Sequence, residues 1–378
     1  MKFRSNILIA SLLALIITAA SQVQGEFQVK VLLEQAPANE KIKWEFSSPE
    51  PFKLLFPEPG KTPKTYTKLA ISTKHQKIYL NGELCKSPAV KLVPSSTPIK
   101  LNGQAFHGKF LVKFNKNIAL LVNQVEIEDY ICSVLKTECW PGWPKEINKA
   151  MAISARSYVV AQVLESRKTK RPFHIKNSSY HQTYTGINES QPVIEAVAET
   201  KGLVLSHQGK PILAMFDSCC GGVIPALMEG KDFKNYPYLA RTERCDFCKP
   251  FKVYNWNATY NRHDFHQKIV KAHPKIKNIK KISVKTDPAG IVRRWTFHSS
   301  NGVYHLDSRI IYGLFKDIKS YCFSIQHKSN LIKVDGTGLG HHLGLCQWGA
   351  RQMVTEGYDY PTILKFYYPG TKLMKLKE

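Results

Sequence analysis

The sequence predicts an α+β protein with a β-rich N-terminal part and a mixed helix and strand core. Three observations lead there. From Phe27 to about Val125, short apolar runs alternate with turn residues, the pattern of strands joined by hairpins. At Ile127 the apolar spacing switches to a helical period. After Gly202 strand-like runs return and lead to a stretch dense in glycine, 336–350.

The first twenty-five residues stand apart. Lys2 and Arg4 precede an apolar run from Ile7 to Ala20, and Val23-Gln24-Gly25 offers a cleavage site. This is the pattern of a signal peptide, and the run is short for a membrane span. The expected division is 1–25 signal peptide, 26–125 β-rich region and 126–378 mixed core. An export signal places the bulk of the chain in the periplasm or cell envelope.

Within the β-rich region, Val29–Leu33, Ile78–Leu80 and Phe110–Phe114 read as strands, with hairpin turns at Asn81-Gly82 and Asn102-Gly103. Prolines 51, 57, 59 and 63 mark 51–63 as an extended loop. Ile131, Val134 and Leu135 then recur at helical spacing up to a break at 141–144. A long buried helix is expected from Lys145 to about Ser166, its small residues permitting close packing. Leu203–Leu205, Ile212–Phe216, Ile282–Lys285 and Ile291–Phe297 read as strands, Lys268–Lys281 as a solvated helix face and linker, and 352–366 as one helix.

A hydrophobic content of 43% supplies a core and excludes a disordered chain. The net charge of +25 fits an anionic wall polymer or membrane surface. The lysines are scattered rather than gathered on a recognition helix, which argues against nucleic acid.

The chemistry concentrates in two segments. Residues 336–350 read GTGLGHHLGLCQWGA. The glycines suit a turn where backbone approaches something closely. A phosphate-cradling GxGxxG loop would need Gly at 341, which is His. A polar loop presenting His341 and Gln347 at a cleft is the better reading. The second segment, 128–160, reads EDYICSVLKTECWPGWPKEINKAMAISARSYVV.

Together these segments resemble the stage II sporulation protein D family, which includes the amidase enhancers. The C-terminal family pattern is roughly GxGxGHGxGxSQWGA, then a helix, then YYPGT, here Tyr367-Tyr368-Pro369-Gly370-Thr371. His342 stands where the family has Gly, Cys346 where it often has Ser, and Asp217 where it often has His. The resemblance runs from about Glu126 to Leu373. It implies a peptidoglycan lytic transglycosylase acting on glycan strands, with Glu138 as catalytic acid. It also implies that Arg156, Tyr184, His341 and Gln347 line the substrate cleft. A non-enzymatic, glycan-binding activator of a cell-wall amidase is the alternative that the family offers.

One carboxyl group suffices for that reaction. It protonates the leaving glycosidic oxygen, then as carboxylate accepts the proton of the muramic acid 6-hydroxyl as it closes onto C1. An ordinary hydrolase needs a second carboxylate. The acid must stay protonated near neutral pH, which calls for a partly apolar pocket. Trp140 and Trp143 are close enough in sequence to line one.

The nine cysteines are the remaining signal. Cys245-Asp246-Phe247-Cys248 is a CxxC, and Cys219-Cys220 lies upstream. Thiolates in such groups suit a structural zinc, whereas an oxidising compartment favours disulfides. Family resemblance implies Cys220, Cys245 and Cys248 as zinc ligands, with His181 or Cys219 as the fourth.

Overall fold

The structure is a computed structural model that describes residues 27–140, 142–178 and 181–376. The expected signal peptide lies outside the described residues. The N-terminal region folds as ten strands: β1 Gln28–Pro37, β2 Ile42–Leu55, β3 Lys64–Lys74, β4 Lys77–Leu80, β5 Glu83–Cys85, β6 Ala89–Val93, β7 Ile99–Leu101, β8 Gln104–Phe106, β9 Lys109–Asn115 and β10 Ile118–Glu126. Their order in the sheet is β1-β10-β9-β6-β2-β3-β4-β5, with β7 on β2 and β8 on β7. The two expected hairpins are present. Asn81 and Gly82, and Asn102 and Gly103, all have positive φ, the requirement of a tight two-residue turn between right-twisted strands.

The proline-rich segment departs from the expected loop. β2 runs through Pro51 to Leu55, with Phe52 and Leu54 buried. Its pairing with β3 shifts between Ser47 and Phe52, and that irregularity accommodates a residue that cannot donate to the ladder. Burial of two large apolar side chains outweighs the local proline signal.

Helices α1 (Ile127–Glu138) and α2 (Lys145–Lys168) follow β10 directly. In α2 an unbroken run from Ala150 to Val160 is buried, because the helix is enclosed by α1, α3 (Gln191–Glu199) and the strand β12 (Leu203–His207). The two-residue strand β11 (Ile175–Lys176) joins the edge of β1 in parallel. β13 (Lys210–Pro211) pairs with β12, so residues 212–215 carry no strand and the expected run shrinks to β14, Phe216–Asp217.

Residues 255–337 form a unit with its own apolar centre. It comprises β15 (Asn255–Asn261), α4 (Arg262–Ala272), β16 (Ile279–Thr286), β17 (Val292–Ser299), β18 (Gly302–Asp307), α5 (Ser308–Leu314), β19 (Cys322–Lys328) and β20 (Leu331–Thr337). Two three-stranded sheets, β15-β20-β19 and β16-β17-β18, close on Phe265, Trp295, Phe297, Phe315 and Ile332. The lysine-rich stretch from 268 thus holds the end of α4 and the start of β16. The chain then returns to the main core through 338–344 and β21 (Leu345–Cys346), which lies parallel to β14.

Gly349 and Ala350 are helical, in α6 (Gln347–Thr355). The expected single helix over 352–366 is two, α6 and α7 (Tyr360–Tyr367). Gly357, at φ 91°, ends the first, and the Asp359 carboxylate caps the second by accepting from the Thr362 N–H at 3.0 Å. The last strand, β22 (Lys372–Lys375), pairs with β12.

Candidate active site

α1 ends at Glu138 because Cys139 turns extended, at φ −111° and ψ 136°. The helix is anchored from below by the 182–186 loop. The Tyr130 hydroxyl donates to Gln182 Oε1 at 2.9 Å, and the Thr185 N–H donates to Ser133 Oγ at 3.2 Å. The half-buried Glu138 side chain faces the first turn of α6. Gln347 Nε2 donates to Glu138 Oε2 at 3.3 Å and to the Glu138 carbonyl at 3.2 Å. Burial raises the Glu138 carboxyl above its ordinary range, against the opposing pull of the Gln347 and Thr183 bonds. Desolvation penalises the charged form, so the group is biased toward the acid.

His341 lies in the loop leading into β21. Its side chain is 34% exposed, with Nδ1 3.9 Å from an Asp217 carboxylate oxygen. Desolvation, and then the neighbouring His342, pull its imidazole below the usual range. His342 is buried at φ 64°. Its N–H donates to Asp217 Oδ2 at 2.5 Å, and its Nδ1 lies 2.9 Å from the Cys220 carbonyl. Asp217 is buried, and desolvation pushes its carboxyl well up. Residue 342 thus faces inward, its N–H tying the loop to Asp217 of β14 and its ring meeting the Cys220 carbonyl.

Two residues expected in the cleft are elsewhere. Arg156 is 0% exposed. It holds Glu128 from two nitrogens, with Nη2 at 2.7 Å and Nε at 3.2 Å from each carboxylate oxygen, and donates to the Leu203 carbonyl at 3.0 Å. Its fork is spent on fixing α1 against α2 and β12. Tyr184 is likewise buried, stacked on Tyr130 at 5.3 Å, with its hydroxyl donating to Asn123 Oδ1 at 2.6 Å. Both are buried in the packing around α1.

The cysteines form a closed cluster beside this site. The sulfurs of Cys220, Cys245, Cys248 and Cys346 all lie within 4.8 Å of one another, and all four residues are buried. The fourth member is Cys346, not His181 or Cys219. His181 sits against α2, its Nδ1 3.1 Å from the Tyr158 hydroxyl. All nine cysteines are free. The Cys220–Cys248 and Cys245–Cys248 sulfurs are 3.8 and 3.9 Å apart, well beyond a disulfide bond. A tetrahedral zinc with bonds of about 2.3 Å places its sulfurs about 3.8 Å apart, so the spacing fits that ion.

Three donors approach these sulfurs. The N–H groups of Cys220 and Gly349 donate to Cys346 Sγ at 3.2 and 3.3 Å, and Arg241 Nη2 lies 3.8 Å from Cys220 Sγ. Hydrogen bonds among the thiols pull Cys248 and Cys245 below the ordinary thiol range and push Cys220 up, and burial pushes Cys346 up. Gly349 is needed here, because a Cβ there would meet Tyr367 Oη and lie 2.8 Å from Cys245 Sγ. The signal for Cys346 was its place in a position where serine is usual, directly before Gln347.

A sequence profile of the family described as Stage II sporulation protein matches residues 115–207. That span contains α1, Glu138 and α2. An uncharacterised protein of Brachyspira hyodysenteriae is 30% identical over 275 residues, covering 72% of this chain and 73% of its own. Stage II sporulation protein D of Bacillus subtilis is 24% identical, covering 67% and 75%. The amidase enhancer of the same organism is 26% identical over 64% of this chain and 39% of its own length.

Proposed function

The chain belongs to the stage II sporulation protein D family, and from that premise we propose that it is a peptidoglycan lytic transglycosylase of the cell envelope. The observation that carries this reading is the half-buried Glu138 carboxyl, raised by desolvation and held by Gln347 at 3.3 Å. In the acid form it donates its proton to the glycosidic oxygen between muramic acid and glucosamine. The C1–O bond breaks and an oxocarbenium-like centre forms at C1. The carboxylate left behind takes the proton of the muramic acid 6-hydroxyl as that oxygen bonds to C1. The products are a new glucosamine 4-hydroxyl end and a 1,6-anhydro-muramic acid end. Gln347 fixes the carboxyl and moderates its pKa. His341 is assigned to the substrate side in this scheme, and desolvation holds its imidazole below the usual range.

Arg156 and Tyr184 are positioning residues in this scheme. Zinc, when bound, supplies a structural crosslink through Cys220, Cys245, Cys248 and Cys346. Four protein ligands leave it no open position.

Mass spectrometry of glycan strands, with and without stem peptides, tests the proposal. Strands incubated with the protein are expected to carry 1,6-anhydro-muramic ends, absent with Glu138→Gln. Reducing ends would instead indicate attack by water. Binding without cleavage would favour activation of a cell-wall amidase, the property for which the Bacillus subtilis relative is named.

A further inference from the structure

An open aromatic surface adjoins Glu138. Trp140, two residues beyond it, is 60% exposed. Its indole lies 6.0 Å from that of Trp348, tilted by 54°. Trp348 is fixed from three sides. Trp143 meets it edge-on at 5.5 Å, the Phe251 ring lies at 4.7 Å, and the Arg351 guanidinium lies 5.7 Å from its centre. Trp143 is buried, and its N–H donates to the Trp140 carbonyl at 3.2 Å. The exposed ring therefore rests on this aromatic cluster and is not covered by it.

Chain connectivity sets where this surface lies. Two residues span at most about 7 Å, so Trp140 cannot be remote from Glu138. Trp348 follows Gln347, whose side chain bonds the Glu138 carboxyl at 3.3 Å. Both indoles thus belong to residues within two positions of the Glu138–Gln347 contact.

We propose that Trp140 and Trp348 form a stacking platform for an N-acetylated pyranose of a β-1,4-linked glycan, beside Glu138. The proposal rests on the glycan reading above and deepens it. A pyranose whose ring substituents are equatorial shows a face of axial C–H bonds, apolar and flat. Such a face matches an indole, while the hydroxyl and acetamido groups at its edge stay hydrated. An indole is large and carries only two side-chain torsions, so little entropy is lost when it is held against a ligand. The exposed ring of Trp140 loses its contact with water when the sugar seats, which is where the affinity arises. The platform grips the sugar next to the bond being broken and sets which linkage faces the carboxyl.

The test is titration of tetra-N-acetylchitotetraose into Glu138→Gln protein, where turnover is blocked, with calorimetry as readout. Adding Trp140→Ala is expected to weaken binding about tenfold, a loss typical of a large aromatic anchor. Trp140→Phe, which keeps a ring, is expected to retain most of the affinity. Melting temperatures of all three should agree, because the ring is exposed. Equal affinity for Trp140→Ala and its parent overturns the proposal, as does failure of the parent to bind. Binding that depends on Trp140 in a protein that cleaves no glycan would uphold the platform and sink the transglycosylase reading instead.

Discussion

The Glu138 cleft and the four-cysteine centre meet at consecutive residues, Gln347 and Cys346, yet they are built on opposite principles. The Glu138 site leaves one carboxyl half-buried and held by the Gln347 amide. The cysteine centre is built from four buried residues, and one of its sulfurs, Cys346 Sγ, accepts from two backbone N–H groups. Burial biases the first toward its uncharged acid form. The second is saturated and has nothing left to offer a substrate. What the pairing teaches is that the rigid centre fixes the start of α6, and α6 in turn places the amide that holds the acid.

That contrast can be broken most severely at Glu138. Glu138→Gln should lower glycan cleavage about 10³-fold while zinc content and melting temperature stay unchanged. A loss of stability instead would mean that the carboxyl is structural. Next in size is Arg156→Ala, which strands the Glu128 carboxylate beneath α3. Denaturant unfolding should show a loss of about 3 kcal/mol, since removing one partner of a buried pair leaves the other charge uncompensated. Full stability would show that Arg156 is available for substrate after all. Cys248→Ser should abolish zinc by elemental analysis and lower the melting temperature by about 5 °C. Cobalt loaded into the four-cysteine site should give a thiolate charge-transfer band, with cleavage within twofold of protein loaded with zinc. A large change in rate would move the metal into the chemistry.

Smallest is Gln347→Ala, with cleavage reduced about tenfold. Its sharper signature is in pH. The Gln347 bond stabilises the ionised form of Glu138 and lowers its pKa. Without that bond the pKa rises further. Because the acid form starts the reaction, the alkaline limb of the pH profile should move to higher pH. A shift to lower pH would reverse the assigned role.

Much of this was legible in the chain itself. Asn81-Gly82 dictates its turn through backbone sterics alone, and the spacing of Ile147, Ala150 and Met151 dictates a helix. Glu138 and Gln347 are 209 positions apart along the chain and come within hydrogen-bond reach of each other. Arg156 and Tyr184 belong to the same patterns, but a pattern does not tell which side of a helix or loop faces solvent. Their burial follows from tertiary packing. Cys346 escaped attention as a ligand because its partners lie about a hundred residues away. The 255–337 unit escaped too. Its strands and turns resemble those around it, and only contacts among Phe265, Trp295 and Phe315 set it apart.

That unit has a further consequence for how the chain tolerates change. Its entry and exit strands pair along their whole length, from Asn255 with Thr337 to Asn261 with Leu331. Two of the clustered cysteines, 248 and 346, stand just outside those ends. Seen from the rest of the protein, more than eighty residues leave and return through one narrow doorway that is bolted on its near side. The cost of closing a loop grows only with the logarithm of its length. The doorway is therefore where a shorter hairpin would be joined, and such a graft would also have to replace what the unit gives the main core: the buried Ile291, and the Asp287 carboxylate that accepts from the Glu229 N–H at 3.1 Å.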